Sequence, residues 1–285
     1  MKLVTWNAQW CRGLDGIVSP ARIVEGARAL ADFDVLCLQE ISVNYPRLAG
    51  NPGHDQPALL RELLPGFELF FGVAVDEWNA DGQRQRFGNL IASRLPVAQV
   101  QHHPLPYPAD AGVRSMPRMC TVVTVRDPVL GPVRVMTTHL EFYSAPQRLA
   151  QARALYELHR QACEQAAAPP QPSGDGSPFQ TKTHTANAVL CGDFNLAPDE
   201  PGYGEIQSPF ATGAGPCGFS DSWRILHCQT PHLPTFHVYD RTYSPDPVAC
   251  DFIFVSEGLK DRVRGLEVDS ATKVSDHQPV ALELG

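Results

Sequence analysis

The chain has 285 residues, 43% of them hydrophobic and 19% charged, with a formal net charge of −8. That describes a soluble globular chain with ample core, in one large domain or two small ones. The acidic total and only four Lys (2, 182, 260 and 273) do not advertise a nucleic-acid groove. Acids gathered at a divalent metal would, however, lower the total without repelling a bridged phosphate. The eight Cys form no C-x-x-C pair, which argues against a zinc framework. Cys37, Cys120, Cys191 and Cys250 sit in or beside strand-like runs, the small-hydrophobe usage of a reduced thiol. No apolar run is long enough to span a bilayer, and no charged-then-apolar leader opens the sequence. The expectation is a reduced, cytoplasmic protein with no stable membrane insertion.

In chain order, Lys2 to Trp6 predicts a strand with Asn7 at its end. Ser19-Pro20 opens a helix through Ala31 by N-cap and first-turn proline. Asp34 to Glu40 is a buried strand ending in an acid, and Pro57 to Leu64 a short helix. Strands follow at Glu68 to Val75, Asn89 to Ser93 and Val97 to His102, with polar Asp76 to Arg86 as a loop. Met119 to Arg126 and Val133 to Thr138 read as a hairpin, closed by His139. Ala145 to Ala168 is the clearest helix, with Leu149, Ala152, Leu155, Leu158 and Ala162 on one face. Residues 169–185 have the composition of a mobile surface loop rather than a domain boundary. Ala186 to Cys191 returns as a strand, and a short helix is expected near Asp221 to Leu226. Asp251 to Val255, Val263 to Val268 and Pro279 to Leu284 are the last strands, with Ser275-Asp276-His277 before the final one. No internal repeat shows at a fixed period.

Leu190-Cys191-Gly192-Asp193-Phe194-Asn195-Leu196 organises the functional reading. Asp193 and Asn195, two apart on an extended chain, would face one spot, and Gly192 would let a ligand approach. Other polar residues end strands too: Asn7, Glu40, His139, Asp251, Asp276 and His277. Strand ends on one rim of a sandwich converge, so residues distant in the chain can make one site. Carboxylates with an amide oxygen are hard ligands suited to Mg²⁺ or Mn²⁺, and two His can serve as acid, base or oxyanion donor. No Ser or Cys nucleophile with a nearby base stands out, which favours direct attack by water on phosphorus. Arg114 and Arg118 are candidates to meet a substrate phosphate, with a structural role equally open. Trp10 and Trp78 lie in loops as candidates to stack on a base or cover a lipid chain, with ordinary packing the plainer reading. His102, His103, His184, His227, His232 and His237 read as structural, and Asn89 as steadying the site from a neighbouring strand without a direct role.

Thr5-Trp6-Asn7, Leu38-Gln39-Glu40, Gly88 to Arg94, Thr138-His139-Leu140, Gly192 to Asn195, Asp251 to Ser256 and Ser275-Asp276-His277 occur in one order over nearly the whole chain. In these the chain resembles the endonuclease/exonuclease/phosphatase superfamily, with its DNase I-like fold. The resemblance implies an α+β fold, a four-layer αββα sandwich of two mostly antiparallel sheets with outer helices, in a single domain over residues 1–285. It implies one divalent-metal site (Mg²⁺ or Mn²⁺) with Glu40 as main ligand and Asn7 and Asp276 beside it. Asp193 matches the residue that orients or activates water, and Asn195 a phosphate-oxygen donor. His277 matches the imidazole on the phosphate, held in its tautomer by Asp251. His139 stands where some members have His and the apurinic endonucleases have Tyr. Many relatives carry Arg two residues before the strand acid; here it is Ala249. Thr138 to Glu141 with Gln147, Arg148 and Gln151 is similar to the tyrosyl-DNA phosphodiesterase branch. The implied function is a metal-dependent phosphodiesterase or nuclease, with nucleic acid the leading substrate. Alternatives are a phosphatase or phospholipase-type esterase on a small molecule or lipid headgroup, and a non-catalytic binding module. Substrate choice would reside in the loops at 10–16, 76–86, 103–118 and 227–249.

Overall fold

The structure, a computed structural model, describes residues 1–242 and 245–285; positions 243 and 244 of the 227–249 loop lie outside the described residues. The strands are β1 (Lys2–Asn7), β2 (Val35–Val43), β3 (Glu68–Trp78), β4 (Arg84–Ser93), β5 (Val97–Pro104), β6 (Met119–Asp127), β7 (Gly131–His139), β8 (Ala188–Asp193), β9 (Phe210–Thr212), β10 (Gly215–Cys217), β11 (Phe219–Asp221), β12 (Asp251–Ser256), β13 (Val263–Val268) and β14 (Val280–Leu284). The helices are α1 (Pro20–Leu30), α2 (Gln56–Leu63), α3 (Ala145–Ala167), α4 (Pro201–Ile206) and α5 (Ser222–His227).

Two six-stranded sheets have the orders β13-β14-β1-β2-β4-β3 and β11-β12-β8-β7-β6-β5. Each has a parallel pair at its centre, β1 with β2 and β7 with β8, joined through α1 and α3 respectively; the other pairings are antiparallel. The chain thus repeats a topology that leaves no trace as a sequence period. This is the expected α+β sandwich.

Alternation along the strands builds the layers. Leu3, Val35, Cys37 and Ile91 of one sheet meet Val123, Val135, Val189, Cys191 and Ile253 of the other between the sheets. The opposite faces, Val4, Trp6, Leu36 and Leu38, take Ile23, Val24 and Ala27 of α1 and Leu60 of α2. Val122, Met136, Leu190, Phe252 and Phe254 take Ala152 and Leu155 of α3 and Tyr203 and Ile206 of α4. Each longer helix starts on a side-chain cap: Ser19 accepts from the Arg22 N–H, Asp55 from Ala58 and Ser144 from Gln147.

Three expectations change. The stretch 76–86 is a hairpin tip, not a loop: β3 and β4 pair on through Asp76↔Arg86 to Trp78↔Arg84. Its one buried side chain is polar, Gln85 donating to the Asn44 carbonyl, so no apolar alternation marks it; a bidentate Arg84–Asp76 contact (2.7 and 2.6 Å) holds it. The buried stripe of α3 is Gln147, Gln151, Ala152, Leu155, His159 and Cys163. Its polar members are paired inward, Gln147 and Gln151 donating to the Pro108 and Pro106 carbonyls. Beyond Asn195, where the sequence predicts loops and one short helix before Asp251, the chain also holds α4 and the strands β9 to β11. Residues 169–187 carry no helix or strand. All eight cysteines are free, six of them buried. No helix among the described residues is long and apolar enough to cross a membrane.

Candidate active site

Asn7, His139, Asp193 and Asp251 continue the inter-sheet rows of β1, β7, β8 and β12. Parity brings them to one rim. His139 lies opposite Asp193 in the β7/β8 register, and Asp251 opposite Asp193 in β12/β8. One row across three strands therefore ends in His, Asp, Asp. Glu40 would face α1 and α2 by alternation with Leu36 and Leu38. Instead it has φ 59, at an irregularity of register between Leu38 and Ile41. This bulge turns its carboxylate toward the rim. Gln39, on the inter-sheet side, donates to the Thr5 and Thr137 hydroxyls.

Asp276 and His277 arrive from the segment before β14. The Ser275 hydroxyl donates to the Asn7 carbonyl (2.7 Å), and the Trp6 indole to the His277 carbonyl (2.9 Å). Phe236 stacks on the His277 ring at 4.2 Å and 18°. Thr235 Oγ1 accepts from the backbone N–H groups of Cys250 and Asp251. Neither Thr235 nor Phe236 stands in a motif, so sequence reasoning missed both.

Asn195 corrects the extended-chain picture. It has φ 50, and its N–H donates to Asp193 Oδ1 (2.9 Å) in an Asx turn. The turn, not strand parity, sends its amide to His139 Nε2 and the Leu140 carbonyl, each at 2.9 Å. The contact to Leu140 fixes Nδ2 as the donor, so His139 accepts at Nε2 and carries its proton on Nδ1. Gly192 also has a different reason from the one expected. Its φ is +138, and a Cβ there would lie 2.0 Å from the Thr138 carbonyl oxygen. The glycine accommodates β7, not a ligand.

At the centre, Asn7 Nδ2 donates to Asp193 Oδ2 (2.9 Å) and Glu40 Oε1 (3.2 Å) and lies 3.5 Å from His277 Nε2. Its oxygen accepts from the Gln9 N–H (3.1 Å), so Asn7 turns a donor to the carboxylates. Asp193 Oδ2 is 3.3 Å from His139 Nε2 and 3.6 Å from His277 Nε2. His277 Nδ1 meets Asp251 Oδ2 at 2.9 Å. Gln9 was not anticipated: its Nε2 donates to Asp276 Oδ2 at 2.6 Å. It comes from a left-handed turn, with φ 45, 43 and 60 at Gln9, Trp10 and Cys11. Gln9, Glu40, His139, Asp193, Asn195, Asp276 and His277 line a cleft of about 270 Å³, walled by Trp10, Phe142, Tyr143 and Phe236.

The profile of the Endonuclease/Exonuclease/phosphatase family matches residues 4–277. The chain belongs to that family. Members of the family are phosphoester hydrolases. An endonuclease/exonuclease/phosphatase from Beutenbergia cavernae DSM 12333 is 25% identical with a TM-score of 0.63, over all of this chain and 72% of that one. A mannosyl-6-phosphatase from Bacteroides thetaiotaomicron is 18% identical with a TM-score of 0.65, over all of this chain and 99% of that one. A 3′ phosphatase from Neisseria, bound to a product DNA hairpin, is 21% identical with a TM-score of 0.60, again over all of this chain and 99% of its own. No curated protein matches.

The charges at the rim suit the divalent cation on which the family generally depends. Burial raises Glu40 to about 7, with Asp276 adding to the rise. Burial likewise raises Asp276. Among the described residues neither is paired with Lys or Arg. Two partly buried hard-oxygen donors that repel each other are what Mg²⁺ or Mn²⁺ would neutralise. Burial lowers His277, but the Asp251 and Asp193 carboxylates outweigh it and lift it to about 10. Burial, then the Arg118 charge, hold His139 down to about 3. One imidazole is thus charged and the other neutral at pH 7. The ligand atoms of Cys250, Asp193 and His277 lie within 4.8 Å of one another. Burial pushes the Cys250 thiol far up, so it stays protonated, and its 3.6 Å contact with Asp251 Oδ2 is a donated one.

Proposed function

We propose that the protein is a divalent-metal-dependent hydrolase of phosphate esters that acts by direct attack of water on phosphorus. The observation that carries this reading is Asp193. It is 1% exposed, with Oδ1 held by the Asn195 N–H and Oδ2 facing Asn7, His139 and His277.

Glu40 and Asp276 would hold Mg²⁺ or Mn²⁺, and Asn7, expected as a ligand, instead donates from Nδ2 to Glu40 and Asp193 with its oxygen taken by the Gln9 N–H. Bound there, the ion supplies positive charge to the phosphoryl oxygens as the transition state forms. Asp193 orients water and takes its proton at Oδ2. His277, protonated at pH 7 and held through Nδ1 by Asp251, presents Nε2–H to a phosphoryl oxygen. Asn195 fixes His139 in the Nδ1–H form and turns its amide to the same side. Gln9 keeps Asp276 from rotating out of the rim.

The preferred bond is a phosphodiester. The Neisseria relative bound to a DNA hairpin supports nucleic acid as the leading substrate, while its name and that of the mannosyl-6-phosphatase keep a phosphatase as the alternative. Beside the His277 imidazolium, the lining of the cleft offers only Arg114 and Arg118 as cations among the described residues, which favours a short strand or an end over a long duplex. The deciding experiment is a panel of single-stranded DNA, RNA, nucleotides, a sugar phosphate and a lipid phosphodiester, run with Mg²⁺, Mn²⁺ and EDTA. Metal-dependent turnover of at least one ester supports the reading; a chain inert on all of them with both metals sinks it and favours the binding-module alternative.

A further inference from the structure

A cavity of about 390 Å³, larger than the catalytic cleft, opens at the other end of β8 and β12 from Asp193 and Asp251. His159 and Cys163 of α3, Cys217 of β10, and Asn187 and Ser256 beside the strand ends line it; Ala167 and Gly258, both exposed, mark its mouth. Two of the free cysteines share this wall: Cys163 and Cys217 are in contact through a thiol–thiol hydrogen bond. Cys217 is partly exposed, and its Sγ lies 3.7 Å from the Gly215 carbonyl and 3.8 Å from Thr212 Oγ1. Cys163 is buried behind it, with Sγ 3.7 Å from His159 Nε2. Cys37 and Cys191 touch in the same way, but both are 0% exposed between the sheets, where no small oxidant arrives. The pair at the cavity combines a partner with access. It also has a neighbouring cation that the fold leaves without an acid. Arg134 is 5% exposed; its Nε donates to the Thr185 carbonyl (3.1 Å) and its Nη2 to His159 Nδ1 (2.7 Å), and no carboxylate pairs with it among the described residues. Burial first, then the Cys217 thiol, push Cys163 up to about 12, while the Arg134 charge opposes them. Cys163 is therefore protonated at rest, and Arg134 favours the sulfur anion that develops when it attacks.

We propose that Cys163 and Cys217 are a peroxide-responsive dithiol: hydrogen peroxide entering the cavity oxidises Cys217, and Cys163 closes a disulfide with it. In the first step an S–O bond forms at Cys217 Sγ as the peroxide O–O bond breaks, and the leaving hydroxide takes the thiol proton as water. In the second, Cys163 Sγ attacks Cys217 Sγ. The S–S bond forms, the S–O bond breaks, and the leaving hydroxide takes the Cys163 proton as a second water. The two thiols give up two electrons, which the peroxide gains. The new bond fastens β9 and β10, a two-stranded ribbon outside both main sheets, to the C-terminal end of α3. In the reduced chain Phe210 holds that ribbon on α3 through edge contacts with Tyr156 and His159. A two-stranded ribbon is marginal alone, so a covalent tie closes this wall of the cavity more firmly.

The test exposes the reduced protein to hydrogen peroxide, counts free thiols by alkylation in denaturant and mass spectrometry, and maps any crosslink by peptide digestion. The wild type should lose two of its eight free thiols, with Cys163 and Cys217 in one crosslinked pair that dithiothreitol reopens. The crosslinked form should melt about 5 °C or more above the reduced one. Cys163→Ser should form no crosslink and instead carry a sulfenic acid on Cys217 that dimedone traps. If that buried substitution does not fold, Cys217→Ser, at a partly exposed position, carries the comparison: it should keep all its thiols under the same exposure. A folded wild type that keeps all eight thiols at a peroxide dose that fully oxidises free glutathione overturns the inference, as does a crosslink between any other two cysteines. A Cys163–Cys217 crosslink that leaves the melting temperature unchanged refutes the fastening of the ribbon to α3.

Discussion

Asp251→Asn isolates the charge that acts on His277. The substitution keeps the shape and an oxygen able to accept from Nδ1–H, so the tautomer survives while the charge is lost. Asp251 Oδ2 and His277 Nδ1 are 2.9 Å apart, and both side chains are nearly fully buried. At an effective dielectric of about 20, unit charges about 4 Å apart interact by about 4 kcal/mol, or about three pKa units. In the wild type, burial opposes the imidazolium and the carboxylates of Asp251 and Asp193 outweigh it, giving about 10. Without Asp251 the value should fall to about 7, because Asp193 alone faces the burial penalty. The sign for stability follows. A raised imidazole holds its proton longer in the folded chain than in the unfolded one. Its contribution is full below about pH 6.5 and is lost as pH rises toward about 10. The variant should therefore lose stability at pH 7 and show a flatter alkaline limb. The assay is an NMR titration of the imidazole nitrogens in chelated protein, with urea unfolding at several pH values. In the loaded enzyme about half of His277 would keep its proton at pH 7, so kcat should fall about 2-fold there and by about a further 10-fold for each pH unit above it. A His277 that titrates in the variant as it does in the wild type would refute the reasoning.

His159 is fully buried with Arg134 Nη2 at 2.7 Å from its Nδ1, and burial, then the Arg134 charge, hold it down to about 3. A depressed imidazole contributes stability above about pH 6.5 that is lost as pH falls toward the folded value, so His159→Gln should flatten acid unfolding between those limits, read by circular dichroism. Gly192→Ala would press a Cβ to 2.0 Å from the Thr138 oxygen at φ +138. It should cost about 3 kcal/mol or more in urea unfolding, and a neutral result would mean that β7 and β8 can part. Gln9→Ala frees Asp276 Oδ2 from its 2.6 Å donor. It should weaken Mn²⁺ binding about 10-fold in a calorimetric titration, as loss of a group that orients a ligand does, and unaltered affinity would remove Gln9 from the site.

The sequence made the rim legible wherever a strand's parity carries a residue to it. Asn7, His139, Asp193 and Asp251 follow from period-two alternation with Leu3, Val135, Cys191 and Ile253. Glu40 was reached through a motif, because alternation alone sends it to the wrong face and nothing in Leu38-Gln39-Glu40 announces a bulge. Asn195 was chosen for a parity it does not use. Gln9 was invisible because a left-handed turn of three non-glycine residues has no sequence signature. The hairpin tip at 76–86 failed for the opposite reason, being regular structure with no buried face to mark it. The α3 stripe was misplaced because only apolar residues were counted toward it, and nothing in the sequence shows that Gln147, Gln151 and His159 find buried partners on neighbouring segments.

The central claim is that residues from both sheets meet over one bound cation and hydrolyse a phosphate ester there. The most direct measurement follows Mn²⁺ binding by calorimetry and turnover of bis(4-nitrophenyl) phosphate, in parallel, for wild type, Glu40→Gln and Asp193→Asn. A single metal site in the wild type, weakened about 10-fold or more in Glu40→Gln and kept in Asp193→Asn while turnover fails in both, is the predicted result. Metal affinity and turnover untouched by either substitution would contradict it.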